Sequence, residues 1–162
     1  METTQKPYFT TVDKLVNLKD HVGKEIGLTP WVTITQERIN QFAETTEDRQ
    51  WIHIDEAQSA AYSPYKKTVA HGFLVLSLAS KFSYETLSML DVVMGVNYGL
   101  DKVRFPNATK SGANIRGRVR VLSFEEINGG GKYKLEIVFE IEGEEKPACV
   151  AEFIALAYTK AV

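Results

Sequence analysis

The chain has 162 residues, 44% of them apolar and 25% charged, with a formal net charge of −2, the proportions of a globular protein with one domain, expected over residues 1–162. No run of a single charge sign supplies the basic field that nucleic-acid binders use, so neither DNA nor RNA is an expected partner. The longest apolar run, around FLVLSLA, is far short of the roughly 20 residues that span a bilayer, so no membrane association is expected. The one cysteine, Cys149, excludes an intrachain disulfide and fits a reducing compartment. The N-terminal METTQKPYFTTVDKL lacks the basic and apolar regions of a secretory signal, and a cytoplasmic protein is expected.

Residues 8–22 read as an amphipathic helix, with Val12, Leu15, Val16 and Leu18 on one side. Residues 26–35, IGLTPWVTIT, are β-branched and read as a strand, with Pro30 marking an edge or a bulge. Thr35 is a natural N-cap for a helix carrying Glu37 in its first turn and Ile39, Phe42 and Ala43 at helical spacing, ending near Thr45. The stretch TTEDRQWIHID then reads as a polar turn, followed by a short helix over residues 55–61 and a loop through Pro64. From Gly72, GFLVLSLASKFSYETLSML is apolar almost all round in its first two turns, the mark of a buried helix, with Leu74, Leu78 and Phe82 continuing one stripe.

The rest is strand. VNYGLDKVRF, ANIRGRVRVLSFEEI, KYKLEIVFEIEG and KPACVAEFIALAYT are separated by the turn signals PNATKSG, NGGG and EGEEKP. Ile115, Gly117, Val119 and Val121 alternate with Arg116, Arg118 and Arg120, while Tyr133, Leu135, Ile137, Phe139 and Ile141 share one face. Four long strands after one buried helix give an α+β architecture, a long antiparallel sheet wrapped around a central helix. Cys149 falls in a core strand and reads as inert packing. The last strand is apolar on both faces, so a monomer would leave one face uncovered, and a two-fold homodimer is expected.

Asp48 and His53 bracket Trp51 and Ile52. Taken as spacing alone, D-x4-H is compatible with an ordinary turn. Two large apolar residues between them would anchor the loop and dry the space around His53, and desolvation together with a carboxylate tunes an imidazole for acid–base work. In AHGF, Gly72 stands where a buried helix begins. That is either a plain helix start or a place where free N–H groups meet a ligand oxygen gaining negative charge. His53, Asp55 and His71 lack H-x3-H or C-x2-C spacing, so no metal is expected. The strand arginines read as a solvated face, or else as partners, with Lys102 and Arg104, for a phosphate-bearing molecule. NGGGK precedes a strand rather than a helix and fails the context for phosphate binding.

The order Asp48-x4-His53, short helix, AHGF, buried helix, NYGLDKVRFP and long strands resembles the MaoC-like hydratase/dehydratase family of the hot-dog fold, and within it the nodulation protein N-like branch. The likeness runs from about Thr33 to the C-terminus. The family motif Ser/Thr-Gly-Asp-x-Asn-Pro-x-His stands here as Thr46-Glu47-Asp48-Arg49-Gln50-Trp51-Ile52-His53. Glu47, Gln50 and Trp51 depart from it, in the form EDRQWIH of that branch. The resemblance implies Asp48 and His53 as the catalytic pair, Gly72 as the oxyanion donor and Ser80 as a support for the aspartate. It further implies substrate contacts from Trp51, Asn97, Lys102, Arg104 and Arg116.

The reaction implied is (R)-specific, reversible hydration of a trans-2-enoyl-CoA to an (R)-3-hydroxyacyl-CoA. It requires no metal and no cofactor, coenzyme A being the carrier of the substrate. The alternatives are a hot-dog acyl-CoA thioesterase and a non-catalytic acyl-thioester binding protein.

Overall fold

The computed structural model describes residues 5–159; residues 1–4 and 160–162 of the expected 1–162 domain lie outside them. Strands β5 (Met94–Arg104), β6 (Asn114–Ile127), β7 (Gly130–Ile141) and β8 (Cys149–Tyr158) are the four long strands of the sequence reading. They lie in one antiparallel sheet with β2 (Glu25–Leu28), in the order β2-β6-β7-β8-β5, and β3 (Val32–Thr33) pairs with β6 beyond β2. The NGGG signal makes the β6–β7 hairpin, with Gly129 at φ 78°, a backbone conformation glycine adopts without strain.

Two helices cross the sheet. α4 (Gly72–Ser77) and α5 (Ala79–Thr86) replace the single helix expected, interrupted at Leu78. They bury Leu74, Val75, Leu76, Ala79 and Phe82 against Ile115, Val119, Val121, Leu135, Ile137 and Phe139. The β6 and β7 alternations are therefore read correctly. The close approach of helix and sheet depends on Gly117, where a Cβ would sit 2.5 Å from Cδ2 of Phe82. The helix is not buried all round: Phe73 is 72% exposed.

Before the helices, the structure departs from the amphipathic helix expected over residues 8–22. Thr10–Val12 form β1, a short strand paired in parallel with β4 (Leu87–Met89), and Leu15–His21 form a 3-10 helix. The β-branched run Thr10-Thr11-Val12 favours extended backbone. Within the 3-10 helix Leu15 and Leu18, both buried, stand three residues apart, one turn of such a helix. Pro30 divides the single strand expected over residues 26–35 into β2 and β3, because proline has no N–H to donate to a ladder.

α1 (Gln36–Thr46) begins as expected, with the Thr35 hydroxyl accepting from the Arg38 N–H at 3.2 Å. Short helices α2 (Trp51–Ile54) and α3 (Glu56–Tyr62) follow, so part of the expected polar turn is helical. Cys149 is buried and unpaired, and burial pushes its thiol up to about 12, which leaves it inert at neutral pH.

Candidate active site

α1 ends at Glu47, whose φ of 62° is left-handed. This is the motif position where the resembled family carries glycine, the residue that suits a left-handed helix terminus. The reversal brings Asp48 back towards the start of α4. Its side chain is 55% exposed. His53, on α2, is only 7% exposed. Nδ1 of His53 lies 2.6 Å from the Val69 carbonyl oxygen, an acceptor only, so Nδ1 carries the proton and Nε2 is left as a free base. The backbone around it is pinned as well: Gln36 Nε2 donates to the His53 carbonyl at 2.7 Å and the Val69 N–H to that of Ile52 at 3.0 Å. Burial, opposed by the Val69 bond and reinforced by the neighbouring His71, holds the His53 titration below 6.5, so the ring is neutral at neutral pH.

The Asp48 carboxylate and a His53 ring nitrogen lie within 4.8 Å of each other. Two hydrogen bonds of about 2.8 Å through one water span such a gap. His53 and Gly72 line the same pocket, about 230 Å³, with Ile52, Tyr65, Val75 and Phe105. Gly72 opens α4, where the first N–H groups have no intrahelical acceptor. A Cβ on Gly72 would meet the Phe105 ring at 3.2 Å, within that pocket. His53 and the start of α4, 19 residues apart in the chain, thus share one cavity, and the half-exposed Asp48 carboxylate lies beside His53.

His71, which the sequence reading considered only as a metal ligand, is at the centre of this site. Its ring stacks on that of His53, centroids 3.7 Å apart and planes 24° from parallel. Nε2 of His71 lies 2.9 Å from the Asp48 carbonyl oxygen. Asp48, His53 and His71 are also a donor set compatible by type with a cation; Asp55 is not part of it and caps α3, accepting from the Gln58 N–H at 2.8 Å. The stack argues against shared coordination, since lone pairs in near-parallel ring planes do not converge on one ion at the 2.0–2.1 Å typical of metal–imidazole bonds.

The remaining candidates fall elsewhere. Trp51 is half-buried and belongs to neither the pocket lining nor the core cluster, so it is not the anchor expected of it. Ser80 accepts a hydrogen bond from Asn97 Nδ2 at 2.8 Å, and none links it to Asp48 among the described residues. Ser80 and Asn97 line a separate groove of about 350 Å³ between the helices and β5. Lys102 is exposed and pairs with Glu152 at 3.0 Å. Arg104 is exposed, adjoining Phe105 of the pocket.

Arg116 contradicts both expectations for it. It is 1% exposed, donates to Glu140 at 2.7 Å and stacks 4.3 Å over the Trp31 ring. A guanidinium so enclosed neither faces solvent nor reaches a ligand phosphate. The strand alternation reveals only that Arg116 points away from the helices; Trp31 and the N-terminal segment, through the Gln5 carbonyl at 3.1 Å, cover that side.

Residues 17–138, which contain the whole constellation, match the MaoC-like domain model. The chain belongs to the MaoC-like dehydratase family. It is 39% identical over 145 residues to 3-hydroxyacyl-thioester dehydratase Z of Mycobacterium tuberculosis, covering 89% of this chain and 95% of that one. It is equally identical, over 88% of its length and 89% of the relative's, to nodulation protein N of Rhizobium leguminosarum bv. viciae. Among solved structures, R-hydratase PhaJ1 from Pseudomonas aeruginosa superposes with a TM-score of 0.70 at 22% identity, over 86% of this chain and 83% of that chain. That likeness establishes the hot-dog fold. As a MaoC-like protein the chain is a hydro-lyase of the hydratase/dehydratase kind.

Proposed function

We propose that this MaoC-like protein is an (R)-specific enoyl-CoA hydratase that adds water reversibly to a trans-2-enoyl-CoA to give the (R)-3-hydroxyacyl-CoA. The observation that carries the reading is the fixed tautomer of His53: a neutral ring with Nε2 unprotonated, one water's span from a carboxylate, in the pocket that Gly72 also lines. In the proposed step Asp48 and His53 hold one water. Its oxygen bonds to C3 while Nε2 of His53 takes its proton. The π electrons move towards the thioester, and the enolate oxygen is met by the Gly72 N–H, a donor whose loss in comparable sites costs about 3–4 kcal/mol. The imidazolium then returns the proton to C2, and Asp48 offsets its charge meanwhile. Water supplies both the hydrogen added at C2 and the hydroxyl added at C3.

Homodimer formation belongs to the same proposal. The exposed apolar surface lies along the β5 edge rather than on the outer face of β8: Met94, Val96, Tyr98 and Leu100 are exposed there, with Phe105 beyond. An unpaired strand edge with such a surface fits a second copy of the chain. Arg104, at the end of β5, is the basic residue best placed for CoA phosphates near the pocket.

Crotonyl-CoA tests the reading, following loss of enoyl absorbance and release of free thiol together, with chiral analysis of the product. Hydration without thiol release, giving mainly the (R) product, is expected. Thiol release would mean a thioesterase, and no turnover a binding protein.

A further inference from the structure

The reaction just described does not use the second buried imidazole. His71 is 3% exposed, less than His53. Its Nδ1 is buried and makes no hydrogen bond among the described residues. A buried polar atom left so is costly, and leucine or phenylalanine would fill the space without that cost. The nitrogen that does bond is Nε2, and it bonds to the catalytic segment: 2.9 Å to the Asp48 carbonyl oxygen and 3.9 Å to its Oδ2. One face of the ring lies on His53, and Phe42 of α1 is tilted against it at 5.0 Å.

The segment carrying Asp48 needs such a tie. The carboxylate makes only a long local bond, 3.4 Å from the Gln50 N–H, and Arg49 pairs back with Glu44 of α1. Among the described residues, the His71 bond is the one hydrogen bond joining residues 47–50 to a part of the chain beyond α1 and α2. His71 itself is held at the N-cap of α4, its carbonyl accepting from the N–H groups of Leu74 at 3.1 Å and Val75 at 3.3 Å. The next residue is Gly72.

We propose that His71 is a positioning residue for the hydration reaction: it holds the main chain of Asp48 and the ring face of His53 together and so sets the one-water gap between them, in register with the N–H of Gly72. This rests on the hydratase reading above. Its consequence is a kinetic effect larger than any stability effect, because a displacement of about 1 Å in a reacting constellation costs on the order of 100-fold in rate.

Three variants separate the ring from the donor. His71→Phe keeps the stack and removes the hydrogen bond. His71→Gln places an amide N–H where Nε2 lies, and His71→Asn is too short to reach the Asp48 carbonyl. With crotonyl-CoA, kcat of His71→Phe and His71→Asn is expected to fall at least about 10-fold, with KM within about threefold of the original. His71→Gln is expected to recover at least about threefold over His71→Asn at a similar melting temperature. A kcat for folded His71→Phe within twofold of the original overturns the proposal, as does His71→Gln no better than His71→Asn. Should His71→Phe not fold, the Gln and Asn pair alone decides. If the unaltered protein fails to hydrate enoyl-CoA, the hydratase reading itself falls, and this proposal with it.

Discussion

Nε of Arg116 donates to Oε2 of Glu140 at 2.7 Å, and both side chains are buried. Arg118 Nε donates to the other carboxylate oxygen, also at 2.7 Å. Burial alone would raise the Glu140 titration, but the hydrogen bonds from Arg118 and Arg116 outweigh it and hold the carboxyl below its ordinary 4.5. A carboxyl so depressed adds stability that is fully present above the unfolded value and is lost as pH falls through the lower, folded one. Glu140→Gln is expected to destabilise the fold by about 3 kcal/mol at pH 7 in urea unfolding, because the carboxylate balancing a buried guanidinium is gone. The melting temperature of the original protein should drop below about pH 4.5 more steeply than that of the variant, narrowing the gap. An equal gap at pH 7 and pH 3 would remove Glu140 from the acid response.

Asp48→Asn and His53→Gln are each expected to lower kcat for crotonyl-CoA by at least about 100-fold, the scale of a general acid–base group. Asp48 is half exposed, so Asp48→Asn should leave the melting temperature almost unchanged. Near-normal turnover in either folded variant would dismiss the pair.

The pH profile follows from His53. Burial, the largest influence, and the neighbouring His71 push its titration below 6.5, against the Val69 bond and Asp48. The base form therefore persists on the acid side of an ordinary histidine. The acidic limb of kcat/KM is expected to have its midpoint below 6.5, and a midpoint above it would point to another base.

Gly117 and Phe82 set the distance between sheet and helix. A Cβ at Gly117 would lie 2.5 Å from Cδ2 and 2.7 Å from Cγ of Phe82, which is itself fully buried. Gly117→Ala is expected to cost about 1–3 kcal/mol in denaturant unfolding, as overpacked cores do. Gly23→Ala makes no such contact but stands at φ 82°, so its cost of about 1 kcal/mol would be backbone strain alone.

Light scattering at micromolar concentration is expected to show a dimer. Val96→Asp, on the exposed β5 edge, should shift the mass towards 18 kDa and reduce activity with it. A fully active species of monomer mass would overturn both the dimer and any site that depends on it.

Much of this protein was legible in the sequence because two of its signals are periodic and local. Alternation with period two located β6 and β7, and turn chemistry at NGGG located their hairpin. The Thr35 cap located α1, and the D-x4-H and AHGF patterns, through the family they resemble, singled out Asp48, His53 and Gly72 as candidates. The same locality explains the failures. Apolar residues three apart in residues 12–18 satisfy an α-helical template nearly as well as the 3-10 turn that forms, and pairing of β1 with β4, 77 residues away in register, decides the strand. Tertiary structure alone settled which face of β6 is covered. Alternation turns Arg116 away from the helices, but Trp31, Gln5 and Glu140 come from three other parts of the chain to enclose it. His71 is the sharpest case. In sequence it is one residue before a glycine; in the fold its ring meets residues 18 and 23 positions earlier. No local pattern encodes that contact, because it exists only once α2 is bonded to the Val69 backbone just ahead of α4.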